Sequence, residues 1–125
     1  MNLREARPDE HLTVRSIFDV AMLDVPDFPA KKLIVAAEND RVLGGMAVET
    51  DGFGERGEIH AIAVRPRRRG QGVGSRLVGE AERRWNPVVA EFDERVRPFY
   101  EALDFDIKSV GGSRFRGRKP GDPVR

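Results

Sequence analysis

Apolar positions change their period several times along the chain, and each change marks the border of an element. "NLREA" (Asn2 to Ala6) reads as a short strand that Pro8 ends. Val14, Ile17, Phe18, Ala21 and Met22 then recur three and four residues apart, the spacing of one helix face. Two prolines in "VPDFP" (Val25 to Pro29) break that helix and leave a loop or one further turn. "KLIVAAE" and "RVLGGMAVE" predict two strands joined by Asn39-Asp40, residues that tolerate the left-handed backbone of a tight hairpin. "DGFGERG" (Asp51 to Gly57) predicts a second reversal, into the strand "EIHAIAV" (Glu58 to Val64).

In the second half, Val73, Leu77, Val78, Ala81 and Trp85 line one helix face, with Arg76, Glu80, Arg83 and Arg84 turned away from it. Asn86-Pro87 stops this helix. "VVAEF" predicts a strand, "VRPFYEAL" a short helix with Pro98 in its first turn, and "FDIKSV" a strand. Gly111-Gly112 supplies a two-residue hairpin turn into "SRFRG". Residues 1–117 then form one domain, and "RKPGDPVR" (118–125) is expected to be a basic, flexible tail. No repeat or linker divides the chain. The order predicts an α/β domain: a mixed, mostly antiparallel sheet of about six to seven strands with helices on both faces.

Composition narrows the function classes. A length of 125 residues suits a single core. The net charge of +1 leaves no global field to recruit nucleic acid or an anionic membrane. The absence of cysteine excludes disulfides, thiolate metal sites and a cysteine nucleophile, and it suits a reducing cytoplasm. No metal site is expected. The longest clean apolar run, "LIVAA" (Leu33 to Ala37), falls far short of the ~20 residues that cross a bilayer. Charges in "MNLREARPDEH" stand where a signal peptide needs its apolar segment. The expectation is a soluble, cytoplasmic protein.

The densest chemistry lies in "AVRPRRRGQGVGSRL" (Ala63 to Leu77). A loop from a strand into a helix aims unpaired backbone N–H groups outward, where they attract anions. Glycines let a phosphate approach without a Cβ in its way, and neighbouring arginines pair with phosphate oxygens. The NTPase loop needs a lysine, and none occurs between Lys32 and Lys108. The dinucleotide fingerprint G-x-G-x-x-G fails at Ser75, and repeated βαβ units are missing.

"RRRGQGVGSRL" carries R-x-x-G-x-G at Arg69, Gly72 and Gly74, preceded by "IAVRP" and followed by an amphipathic helix. This resembles the acetyl-CoA pyrophosphate loop of the GNAT superfamily, the N-acetyltransferases related to histone acetylases. A second stretch, "RPFYEALDF" (Arg97 to Phe105), is similar to that family's A-x-x-F-Y-x-x-x-G-F segment, with Asp104 in place of the glycine. The element order agrees along nearly the whole chain. The resemblance implies the GNAT fold and transfer of an acetyl group from acetyl-CoA to an amine acceptor, a small metabolite or a peptide or protein amine.

By the same resemblance, the pyrophosphate contacts come from Arg69, Gly70, Gln71, Gly72, Val73, Gly74 and Ser75. Ile62 pairs with the pantetheine arm like an added strand, and a main-chain N–H at Ala63 or Val64 faces the thioester carbonyl. Tyr100 is the implied acid for the departing thiolate. The base is sought at Glu58, where histone-type members carry a glutamate, or at His60. Residues two apart on a strand face the same side, and an imidazole suits base work near neutral pH. Without cysteine, direct transfer in a ternary complex is expected. The rival expectation is a non-catalytic module on the same fold that holds acyl-CoA or touches RNA through Arg65 to Arg69. Dimerisation through the last strands, common in that family, is a further expectation.

Overall fold

The computed structural model of the chain describes residues 1–25, 28, 31–50 and 55–120. Its strands are β1 (Asn2–Glu5), β2 (Lys32–Glu38), β3 (Arg41–Thr50), β4 (Gly57–Val64), β5 (Val88–Asp93), β6 (Asp106–Gly111) and β7 (Arg114–Lys119). The helices are α1 (His11–Val20), α2 (Val73–Arg84) and α3 (Arg97–Ala102). All seven strands form one open sheet in the order β1-β2-β3-β4-β5-β7-β6. Each neighbouring pair is antiparallel except β4 and β5, which run parallel. This is the mixed, mostly antiparallel sheet that the strand pattern implies.

Helices cover both faces of the sheet's centre, which is why β2 and β3 read as continuous apolar runs rather than alternating ones. On one face Val14, Ile17 and Phe18 of α1 pack against Leu33, Val35, Ala47, Ala61 and Ala63. On the other, Leu77, Val78 and Ala81 of α2, with Trp85, pack against Ile34, Met46, Val48 and Ile59. Tyr100 of α3 joins this second layer. Trp85 lies directly over Gly57, where an added Cβ would stand 2.9 Å from the indole ring.

The Asn39-Asp40 hairpin takes its left-handed form, with φ of 51° and 64°. Asp104 also takes φ 64°, so the aspartate adopts the left-handed conformation in which the family pattern has glycine. Four expectations are corrected. Strand pairing runs past the expected boundary at residue 117, because Arg118 and Lys119 continue β7 and pair with Val89 and Val88. Gly111 is the last residue of β6, opposite Arg114, so the turn proper is Gly112-Ser113. Met22 lies past the end of α1 at φ 60° and is 91% exposed. Glu80 is only 6% exposed, one helical turn from the core residue Leu77. Burial pushes its carboxyl pKa up, but hydrogen bonds from Arg83 and Arg84 outweigh that and hold it below the usual value. The expected loop at Val25 to Pro29, the reversal at 51–57 and the end of the chain fall partly outside the described residues. Phe28 is described, and its ring is buried edge-on against Phe18 at 6.0 Å.

Candidate active site

β4 is paired with β3 along its length, but with β5 only at Gly57↔Val88, Glu58↔Val89 and Ile59↔Ala90. Beyond that point β5 continues beside β7, and the two central strands part into a fork. A β-bulge stands at its base. The β3–β4 register jumps from Ala47↔Ala61 to Val48↔Ile59, leaving His60 as the extra residue. A bulge bends its strand and re-aims side chains. Ile59 and Ile62, an odd number of residues apart, consequently both pack on the α2 side, while Ala61 and Ala63 pack on the α1 side.

The register also decides which backbone groups look into the fork. Arg65 N–H donates to Leu43 O at 2.8 Å, and Ala63 lies opposite Gly45. Because backbone groups alternate between edges, Ala63 turns its N–H towards β3. Ile62 and Val64 turn theirs to the free edge. Of the two residues expected to present a carbonyl-binding N–H, Val64 has the matching orientation.

Past the fork, Arg65 to Gly72 form the loop. A short 3-10 turn at Pro66–Arg68 is followed by two glycines in the left-handed region, Gly70 at φ 76° and Gly72 at φ 82°. Gly72 caps α2 without a side-chain hydrogen bond, so the first-turn N–H groups lack a side-chain cap. They concentrate the positive end of the helix dipole where no Cβ intrudes: nothing lies within 4 Å of a Cβ placed on Gly70 or Gly72. A cavity of about 250 Å³ opens here. Arg69, Gly70, Gly72, Val73, Gly74 and Ser75 line it, together with Val64. Gln71 does not; its amide donates to Arg67 O at 3.3 Å, bracing the loop from outside.

Two further residues line this cavity that the expected coenzyme contacts did not include. Phe99 closes its far wall and sits 3.2 Å from a Cβ placed on Gly74. Arg68 borders both this cavity and a larger hollow of about 510 Å³ whose walls include Arg41, Arg65 and Arg67. Phe99 had a signal, since it adjoins Tyr100 in the same motif. Arg68 had none to separate it from its arginine neighbours.

Tyr100 is 2% exposed, stacked on Phe92 at 4.5 Å and held edge-on by Phe99 and Phe105, each at 5.0 Å. Among the described residues its hydroxyl has no hydrogen-bond partner. Burial pushes its pKa above the ordinary phenol value, so the hydroxyl stays protonated and remains a donor.

Glu58 and His60 come together, as their spacing implies, on the α1 side of the sheet. His60 Nε2 is 3.9 Å from Glu58 Oε2. Glu58 is held from both sides by guanidinium groups, Arg56 at 3.4 Å and Arg116 at 3.9 Å. His60 makes its close contact elsewhere, with Glu49 Oε1 at 2.8 Å. Glu49 also accepts from Lys31 Nζ at 3.3 Å, and these two partners, Lys31 first, hold its carboxyl below the usual pKa. Tyr100 and the His60 cluster therefore stand on opposite faces of the fork. Among the described residues no group of three or more His, Cys, Asp or Glu side chains is arranged so that it could hold a metal ion, and no helix is long and apolar enough to cross a membrane.

Solved structures share this architecture. An aminoglycoside 6'-N-acetyltransferase complexed with coenzyme A superposes with a TM-score of 0.82 at 16% identity, covering 100% of this chain and 99% of that one. The aminoglycoside 6'-N-acetyltransferase from Enterococcus faecium gives 0.79 at 16% identity, with 100% and 99% covered. The ribosomal-protein-alanine N-acetyltransferase from Brucella melitensis gives 0.71 at 16% identity, with 96% and 99% covered. At such identities the likeness shows the fold. No curated protein sequence matches the chain significantly. The sequence profile of the acetyltransferase (GNAT) family matches residues 3–105, from β1 to the entry of β6 and across the whole fork and loop. By that match the chain belongs to the GNAT acetyltransferase family.

Proposed function

We propose that the protein is an N-acetyltransferase that moves an acetyl group from acetyl-CoA to a primary amine by direct transfer. The observation that carries this reading is the loop: two left-handed glycines with open space above them, at a helix start without a side-chain cap, beside a strand with a free edge. A pyrophosphate suits that cradle. A pantetheine arm, which carries amides, suits the edge that Ile62 and Val64 present, by the logic of an added strand. Arg68, at the border of two hollows, extends the positive path for a ligand with more than one phosphate.

The chemistry divides between the two faces. The acceptor enters as an ammonium, because an alkyl amine has a pKa near ~10.4. One proton leaves to a base on the α1 side, His60 or Glu58. The freed lone pair attacks the thioester carbonyl carbon, a C–N bond forms, and the C–S bond breaks with its electron pair going to sulfur. The N–H of Val64 stabilises the charge that develops on the carbonyl oxygen. On the other face Tyr100 donates to the departing sulfur. A buried phenol is a weaker acid than a thiol of pKa ~8.5, so its task is to hydrogen-bond and relay. The proton that ends on sulfur is the second one lost by nitrogen.

Calorimetric titration with acetyl-CoA, with NAD as control, tests the cradle. Release of free thiol in the presence of an alkyl diamine, an amino sugar and a peptide with a free amino terminus then tests transfer. The chain's lack of cysteine removes any protein background from that readout. Micromolar binding of acetyl-CoA alone, with thiol released for at least one amine, supports the reading. Binding without release for any amine leaves a non-catalytic acyl-CoA module. No binding overturns the assignment.

A further inference from the structure

The geometry points to Glu49 as the residue that positions the general base: its carboxylate holds the proton of His60 on Nε2 and leaves Nδ1 as the nitrogen that deprotonates the acceptor amine. This rests on the acetyltransferase reading above and names a part of that site which the sequence motifs do not contain.

The contact fixes the tautomer. Glu49 is ionised, with its pKa lowered chiefly by Lys31, and an ionised carboxylate can only accept hydrogen bonds. At 2.8 Å from Glu49 Oε1, a bare lone pair on His60 Nε2 would face the charge of the carboxylate, so the close ion-pair contact favours the hydrogen on Nε2. In the neutral ring Nδ1 then bears the lone pair. No hydrogen bond from the described residues occupies it.

The position also fits. His60 is the extra residue of the bulge, next to Ile59↔Ala90, the last β4–β5 pair before the fork opens. A base there lies at the apex of the gap that would receive the thioester, on the face opposite Tyr100. Once His60 has taken a proton, the negative charge of Glu49 stabilises the imidazolium, as a carboxylate does behind the histidine of a Ser-His-Asp triad. Glu58 is less suited. Arg56 and Arg116 flank its carboxylate, so its two oxygens already face cationic partners of the protein. Lys31 Nζ reaches the same oxygen, Glu49 Oε1, at 3.3 Å, so the line Lys31–Glu49–His60 runs from the start of β2 to the fork.

Glu49 is 56% exposed at the side chain, so its truncation removes little packing. The chain has two histidines, which makes the imidazole nitrogens resolvable by 15N NMR once H11N has identified the His11 signals. In alkaline buffer the wild-type His60 should show Nε2 as the protonated nitrogen and Nδ1 as the bare one. E49A should move the two shifts towards each other as the tautomers mix, and E49Q, whose amide oxygen still accepts, should restore the separation. With the best amine of the panel, E49A should lower kcat about 10-fold with the KM for acetyl-CoA unchanged, E49Q falling between. Identical His60 spectra in wild type and E49A, a proton on Nδ1 in the wild type, or an unchanged kcat in E49A would each overturn the assignment. Failure of acetyl-CoA to bind would instead sink the acetyltransferase reading, and the imidazole spectra would still report the pair.

Discussion

Gly72→Ala isolates what the loop's backbone contributes. Gly72 has φ 82° and caps α2, and a Cβ placed on it meets nothing within 4 Å. The substitution therefore causes no clash in the free protein. It costs about 1–2 kcal/mol for a left-handed L-residue, offset by about 0.5 kcal/mol from a less flexible unfolded chain. A net loss of about 1 kcal/mol in urea unfolding follows. On the proposed reading the effect on the ligand should be larger, because the methyl would occupy the open space in which a phosphate oxygen would sit. Losing one charge-assisted N–H contact costs about 2 kcal/mol, close to ~30-fold in Kd for acetyl-CoA. Gly112→Ala is the matched control. Gly112 also has positive φ, 55°, and also meets nothing within 4 Å, but it lies in the β6–β7 turn. It should lose similar stability and no affinity. Calorimetric titration beside urea unfolding reads both quantities. Full acetyl-CoA affinity in G72A, or an equal loss in G112A, would refute the cradle.

Other outcomes follow from the same contacts. Tyr100→Phe should reduce turnover on the order of 100-fold with little change in acetyl-CoA affinity or stability, since its hydroxyl has no partner among the described residues; an unchanged rate removes it from the mechanism. Gly57→Ala drives a methyl into Trp85 at 2.9 Å and should cost about 1–3 kcal/mol, seen as a lower urea midpoint; an unchanged midpoint would show that the indole yields freely. Glu10, bonded by both guanidinium nitrogens of Arg4 at 2.8 and 3.0 Å and by Arg7 N–H, has its pKa lowered to about 2 from 4.5, first by the Arg4 bonds. A depressed carboxylate pKa stabilises the fold above its unfolded value, so this contribution is lost as pH falls from 4.5 to about 2. Allowing for screening around Arg4, it amounts to about 2 kcal/mol, and E10Q should flatten the stability profile across that window; a parallel profile would show that the pair contributes nothing.

Much of the protein is legible in local chemistry. The strands, the three helices, the Asn39-Asp40 hairpin and the glycine loop are written in short-range patterns, because apolar period, left-handed backbone and helix starts involve residues only a few positions apart. Tyr100 and Phe99 were marked by their motif, though only packing showed that Phe99 walls the cavity beside Gly74. Glu80 read as a solvent-facing charge, because its ion pairs with Arg83 and Arg84 accompany a burial that helical spacing alone does not register.

The chain's own pattern thus determined which elements form, and it placed a glycine-rich, arginine-flanked loop at the start of α2. Tertiary structure decided what faces that loop. The bulge at His60 sets which backbone N–H groups look into the fork, turns Ile62 to the α2 side and brings His60 against Glu49. A strand's register is a property of its pairing with another strand, and one extra residue reverses every side chain beyond it. Residues 49 and 60 carry no shared motif, and only the β3–β4 ladder makes them neighbours.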